Sequence, residues 1–221
     1  MLKVRELSKS YGNQLILDNV SFEIEKGSTA AITGPSGSGK TTFLNILGTL
    51  DQADSGSVYF NNQDISFMSE KERSIFRNKH IGFIFQMHYL LPQCTVFENI
   101  LLPTLSYTGK TEKLEAQQRA EYLLEKIDMI QHRDKLPGQL SGGECQRTAF
   151  VRALINQPEL ILADEPTGSL DEENAAILSD ELILLNKEFN TTLIVVTHSL
   201  LLARKMDRTW NLHNYKLNAD K

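Results

Sequence analysis

The run Gly34-Pro35-Ser36-Gly37-Ser38-Gly39-Lys40-Thr41-Thr42 sets three glycines ahead of a lysine and two threonines. Glycines let backbone N–H groups turn inward around phosphate oxygens, and a helix that follows adds its positive end. At this spacing Lys40 is expected to reach β- and γ-phosphate oxygens, the Thr41 hydroxyl to ligate Mg²⁺, and Thr42 to lie near the α-phosphate. A flexible surface loop before a helix is the plain alternative. Taken alone, the cradle suits a kinase, a GTPase or a motor equally well.

Two further groups bear on that choice. Leu160-Ile161-Leu162-Ala163-Asp164-Glu165 ends an apolar run on two carboxylates. Ligands of open parallel sheets sit at the carboxyl ends of strands, so Asp164 is expected to face the cradle as the Mg²⁺-side carboxylate, through coordinated water. Glu165 is better suited to polarise an attacking water. The alternative is a charged turn where a buried strand meets solvent. Next, Leu140-Ser141-Gly142-Gly143-Glu144 fits a capping box with Ser141 as N-cap. Two glycines in the first turn of a helix disfavour it, so a cap alone does not explain them. They permit close backbone approach at an anion-attracting helix start.

These groups need elements to hold them. Residues 2–6 and 21–25 alternate like half-exposed antiparallel strands joined through Tyr11-Gly12-Asn13. Residues 28–33 form a short apolar run into Gly34, and Phe43, Leu44, Ile46 and Leu47 recur at helical spacing, so the cradle joins a strand to a helix. Runs at 81–85, 160–163 and 192–196 read as strands covered on both faces, as in a parallel sheet. From about 95 to 157 the pattern is helical, notably at 113–126 and 144–155. No repeat or low-complexity linker separates independent domains.

The 221 residues suffice for one compact unit with a subdivision. A formal net charge of −5 argues against a general nucleic-acid binder, which needs a basic stripe. Cys94 and Cys145 have neither the number nor the spacing of a zinc site or disulfide framework and are expected to be reduced thiols in a cytosolic protein. The first nine residues mix charged and apolar types, unlike a signal peptide, and no stretch reaches the ~20 apolar residues of a bilayer span. In a membrane process another chain must supply the membrane part.

With Leu140 to Glu144 followed by Cys145-Gln146-Arg147, the chain resembles the ATP-binding cassette superfamily, whose signature is Leu-Ser-Gly-Gly, then Gln or Glu, then a Gln-Arg pair. Cys145 alone departs from it. The resemblance covers essentially the whole chain. It implies a P-loop NTPase (RecA-like) α/β parallel-sheet core with an N-terminal antiparallel β layer, residues 1–92 and 158–221, and an inserted all-helical subdomain, residues 93–157, in one ATPase domain spanning 1–221. It also implies that Tyr11 stacks on adenine, that Gln86 links Mg²⁺ to a transmembrane partner, that Ser169-Leu170-Asp171 contacts an opposite subunit, and that His198 stands at the γ-phosphate. Ser141, Gly142 and Gly143 then complete the nucleotide site of a second copy: two chains sandwich two ATP head to tail, and hydrolysis reopens them.

The segment from Gly82 through Gln86 to Pro92, then Thr95 to Ile100 and Leu102-Pro103, with 163–171 and 202–208, resembles the lipoprotein-releasing, LolD-type branch and its macrolide-exporter relatives. That implies a peripheral subunit at the cytoplasmic face of the inner membrane, working with integral-membrane permease subunits of LolC/LolE type. Another export system is the alternative. Apolar Met87, Tyr89, Leu90 and Leu91 either form a floor for the partner's cytoplasmic helix or make a buried strand-to-helix connection. Where relatives carry Asp-Gly, this chain has Asn214-Tyr215, and an altered terminal hairpin is expected. A small-molecule kinase, the reading from a different class, leaves Leu140 to Arg147 unexplained. Non-transport cassettes of DNA repair or translation usually carry two cassettes or coiled-coil insertions.

Overall fold

The computed structural model describes residues 1–219. A four-stranded antiparallel sheet has the order β2-β1-β4-β5, with β1 (Leu2–Tyr11), β2 (Gln14–Ile24), β4 (Ser55–Phe60) and β5 (Gln63–Asp64). The first two strands turn at Gly12 and Asn13 and run well past the limits suggested by alternation, because the ladder continues from Leu2 opposite Ile24 to Tyr11 opposite Gln14 across several bulges. The mixed segment around Val58 supplies a third strand that alternation did not reveal.

The second sheet has the order β10-β9-β3-β8-β7-β6, with β3 (Thr29–Thr33), β6 (Ile81–Ile84), β7 (Leu160–Asp164), β8 (Thr192–Val196), β9 (Arg208–His213) and β10 (Lys216–Ala219). All of its neighbours pair in parallel except β9 and β10. Its central strands are buried on both faces, and the faces divide by alternation. Ile32, Leu160, Leu162, Ile194 and Val196 join a core with α1 (Lys40–Leu47) and the antiparallel sheet, whereas Ile161, Leu193 and Val195 join a second core with the helices beyond.

Helix α2 (Glu70–His80) precedes β6. Between β6 and β7 the described residues hold α3 (Val96–Leu101), α4 (Lys110–Lys126), α5 (Gly142–Leu154) and short 3-10 turns. After β7 come α6 (Glu172–Phe189) and α7 (Leu200–Ala203). Ser69, Thr95 and Ser141 cap α2, α3 and α5, each with the reciprocal glutamate of a capping box. Of the expected 1–221 domain, residues 220–221 lie outside the described residues.

The terminal hairpin is retained, contrary to the expectation from Asn214-Tyr215. Both residues take positive φ, 49° and 66°, as a two-residue turn of this kind requires. Tyr215 O accepts from the Asp18 amide at 2.9 Å, and Lys216 meets Asp18 at 2.9 Å, so the hairpin ties the two sheets together.

Candidate active site

The cradle lies between β3 and α1, and its first glycine is fixed by the neighbouring strand. Gly34 has φ 145°, and a Cβ there would sit 2.3 Å from Leu212 O of β9. A side chain would push the cradle off the sheet. Gly39, φ 100°, caps α1 against Ile16, so the helix can begin at Lys40.

Lys40 is buried, and burial holds its ammonium below the usual lysine range, partly opposed by Glu165 and Asp164. Its Nζ donates to Gly34 O and Pro35 O, both at 3.0 Å, and lies 3.3 Å from His198 Nε2. The Thr41 hydroxyl donates to Asp164 Oδ1 at 3.2 Å. Burial raises the Asp164 pKa, against the Thr41 hydrogen bond and the Lys40 charge. Glu165 follows with φ 47°, its amide donating to Val196 O at 2.8 Å. Its Oε2 accepts from the His198 amide at 3.1 Å, and its Oε1 is 3.4 Å from His198 Nε2. Strand ends of β3, β7 and β8 thus bring Lys40, Thr41, Asp164, Glu165 and His198 together.

Tyr11 is half exposed at the end of β1, where its hydroxyl bonds the Asp51 carboxylate. That bond, ahead of burial, raises the phenol pKa, while Thr42 and Lys9 oppose it. The Lys9 ammonium stands 4.9 Å from the ring centroid. Asp51 escaped sequence reasoning: nothing about a carboxylate just past α1 marks it as the anchor of an aromatic forty residues earlier. Gln86 follows β6, and its backbone oxygen accepts from Ser169 Oγ at 3.5 Å.

Arg152 on α5 was also missed, and Gln146 on the same helix was named only as part of the signature, not for its contact with the loop after β6. Gln146 Nε2 donates to Phe85 O at 2.7 Å. Arg152 donates to His88 O at 2.7 Å and Tyr89 O at 2.8 Å. Gln146 is 1% exposed on the helix face that also carries buried Ala149, Phe150 and Ala153. A glutamine on an apolar stripe was the available signal. The stretch 87–91 divides between the two readings given above: Leu90 is buried against Cys145 and Ala149, whereas Met87 and Tyr89 are 61% and 65% exposed. Leu90 therefore cannot face a partner.

The turn at Ser141 makes its bonds elsewhere. Ser141 Oγ accepts from the Glu144 amide at 3.3 Å, and Glu144 answers from Ser141 N at 2.6 Å and meets His132 at 3.2 Å. Its backbone bond to Ser141, against burial, keeps the Glu144 carboxyl below the usual range. Beside the glycines lie Asn174 and Leu170. Among the described residues no hydrogen bond joins 141–143 to 34–42.

Residues 17–168 match the family model for "ABC transporter". The chain belongs to the ABC transporter family. Its curated ABC relatives include a lipoprotein-releasing system ATP-binding protein, LolD 1, from Rhodopirellula baltica, 50% identical over 96% of this chain and 93% of the relative. LolD from Bacteroides thetaiotaomicron is 43% identical over the full length of both. A solved dimeric ABC cassette, MJ0796, in a post-hydrolysis state bound to ADP and Pi, aligns over 100% of this chain and 98% of its own with a TM-score of 0.90 and 38% identity. This ABC chain is an ATPase with the α/β cassette fold, and ATP is its substrate.

Proposed function

We propose that the chain hydrolyses ATP to drive a lipoprotein-releasing transporter, as the peripheral subunit on the cytoplasmic face of the inner membrane beside integral-membrane permease subunits of LolC/LolE type. The assignment of cargo is supported by relatives of 43–50% identity that carry the lipoprotein-releasing name across nearly the whole chain. No helix among the described residues is long and apolar enough to cross a membrane.

The observation that carries the catalytic reading is the convergence of Lys40, Asp164, Glu165 and His198 at three neighbouring strand ends. The backbone N–H groups of 36–42, with Lys40, would take the β- and γ-phosphates, Lys40 exchanging two carbonyl partners for phosphate oxygens. Tyr11 would stack on adenine, its hydroxyl anchored by Asp51. Glu165, oriented by the His198 amide, would hold and polarise the attacking water, and His198 would contact the γ-phosphate. The Thr41 hydroxyl and Asp164 carboxylate, 3.2 Å apart, present the hard oxygen donors that suit Mg²⁺, with Gln86 as a further oxygen. When bound there, Mg²⁺ would neutralise charge on the β- and γ-phosphates. Ser141, Gly142 and Gly143 would close over ATP held by a second copy, which matches their separation from the cradle within one chain. The exposed Met87 and Tyr89 would receive the permease.

Glu165→Gln tests the chemistry. It removes the base while keeping the His198 contact, so ATP binding should survive, turnover should fall by about 10²–10⁴, and an ATP-stabilised dimer should accumulate. A strictly monomeric variant at saturating ATP, by light scattering, would count against the sandwich. The cargo assignment is tested by co-purification from membranes. A permease with a large periplasmic domain supports it, and a small multi-span permease overturns it.

A further inference from the structure

Two polar side-chain atoms, one on α5 and one on α6, are buried without a partner among the described residues. Arg147 Nε, on α5 six residues beyond the Ser141 cap, and Glu181 Oε2, on α6, are both buried without a hydrogen-bond partner among the described residues. Phe150, Val151 and Leu154 of α5 and Leu178, Leu182 and Leu185 of α6 belong to one core. A buried polar atom without a partner costs roughly 1–3 kcal/mol, and these two belong to half-buried side chains of opposite charge that a small movement could join.

The surroundings narrow the role. Burial pushes the Glu181 carboxyl up to about 7, and the one charge acting against that is the Arg147 guanidinium. Toward α7, the neighbouring Asp180 already holds Lys205 at 2.5 Å, so that ammonium is engaged. At its start α6 lies under the Ser141 turn: a Cβ at Gly143 would stand 2.9 Å from Asn174 Oδ1, and one at Gly142 would stand 4.0 Å from Leu170. A shift of α5 along α6 therefore moves both the turn and Arg147.

We propose that Glu181 is a positioning residue for ATP-driven closure: as the Ser141 to Gly143 turn moves onto nucleotide held by a second copy, α5 brings Arg147 onto Glu181, and the pair holds the turn there. This rests on the two-chain sandwich proposed above. The pair needs a carboxylate. In the conformation described, Glu181 binds a proton below about pH 7, and pairing with Arg147 lowers its pKa, so closure releases that proton. Closure is then favoured above pH 7 and weakens as pH falls, by about tenfold per unit for each protomer.

The test uses the full chain carrying Glu165→Gln, with dimerisation followed by light scattering against ATP concentration from about pH 6 to pH 8. ATP binding to dilute monomer is measured by calorimetry. Adding Glu181→Gln should raise the ATP needed for half-maximal dimerisation about tenfold at pH 8, flatten the pH dependence relative to the parent, and leave monomer affinity within about twofold. Arg147→Met should give the same loss, and the double variant no more than either single. Arg147→Lys, which keeps the charge, probes the pair from α5 if Glu181→Gln does not fold, and should retain the parent's pH dependence. Dimerisation indifferent to Glu181→Gln, additive losses, or a flat pH profile in Arg147→Lys overturns the pair alone. A parent that stays monomeric at every pH removes the sandwich and the pair together.

Discussion

Lys40 carries more of the proposed binding than any other side chain. Its ammonium is buried and already held by two carbonyls, so phosphate oxygens would replace existing partners. Charge-assisted hydrogen bonds of this kind contribute about 1.5–3 kcal/mol. Lys40→Ala should therefore weaken ATP binding by roughly ten- to a hundredfold, read by calorimetric titration, and an unchanged affinity would refute the role. Gly34 shows why residue types were readable here. The carbonyl of Leu212 excludes any Cβ, so the glycine is dictated by packing as well as by phosphate. Asp51 and Glu181 show the opposite: each is one carboxylate among 28 acidic residues, and only the chain path reveals what it meets.

At the scale of elements, the two side chains of α5 that reach the loop after β6 form a joint. Arg152 is held below the usual range by burial and spends two donors on the carbonyls of His88 and Tyr89. Gly82 allows β6 to lie against α5, since a Cβ would meet Ala153 O at 2.4 Å. Arg152→Met should leave two carbonyls without their donor and cost about 1–3 kcal/mol. Amide exchange should speed at Leu90 and Leu91 while the α4 amides stay protected. Equal exchange at both places would show that the loop stands without Arg152. Strands β3, β7 and β8 were legible because burial on both faces leaves an unbroken apolar run. β4 and β5 were not, because short strands with one solvent face and bulged pairing carry little alternation. The long α6 escaped because acidic residues and asparagine interrupt its stripe.

The whole molecule is two sheets sharing one core, with a second core between the parallel sheet and the helices, and the β9 and β10 hairpin ties the sheets together. Tyr215 holds φ 66°, a conformation costly for a bulky side chain. Tyr215→Gly should raise stability by up to about 1 kcal/mol, or roughly 2–4 °C in thermal midpoint, with ATPase activity unchanged. A lower midpoint would mean that the ring supports the hairpin more than the turn strains it. The candidate catalytic groups that converge at the strand ends could be named from sequence because phosphate chemistry restricts residue types at fixed spacing. The seam between α5 and α6 was not, since its partners meet through packing between distant segments.

The joint beneath the loop after β6 is made to main-chain oxygens, at Phe85, His88 and Tyr89. Every residue type offers the same carbonyl, so side chains on the outer face of that loop are free to drift without loosening the joint. With Met87 and Tyr89 receiving the permease as proposed, a gene copy could acquire a new membrane partner by exchanging those two side chains while keeping the joint intact. Under that proposal, partner choice and the joint to α5 are separable within seven consecutive residues, Phe85 to Leu91.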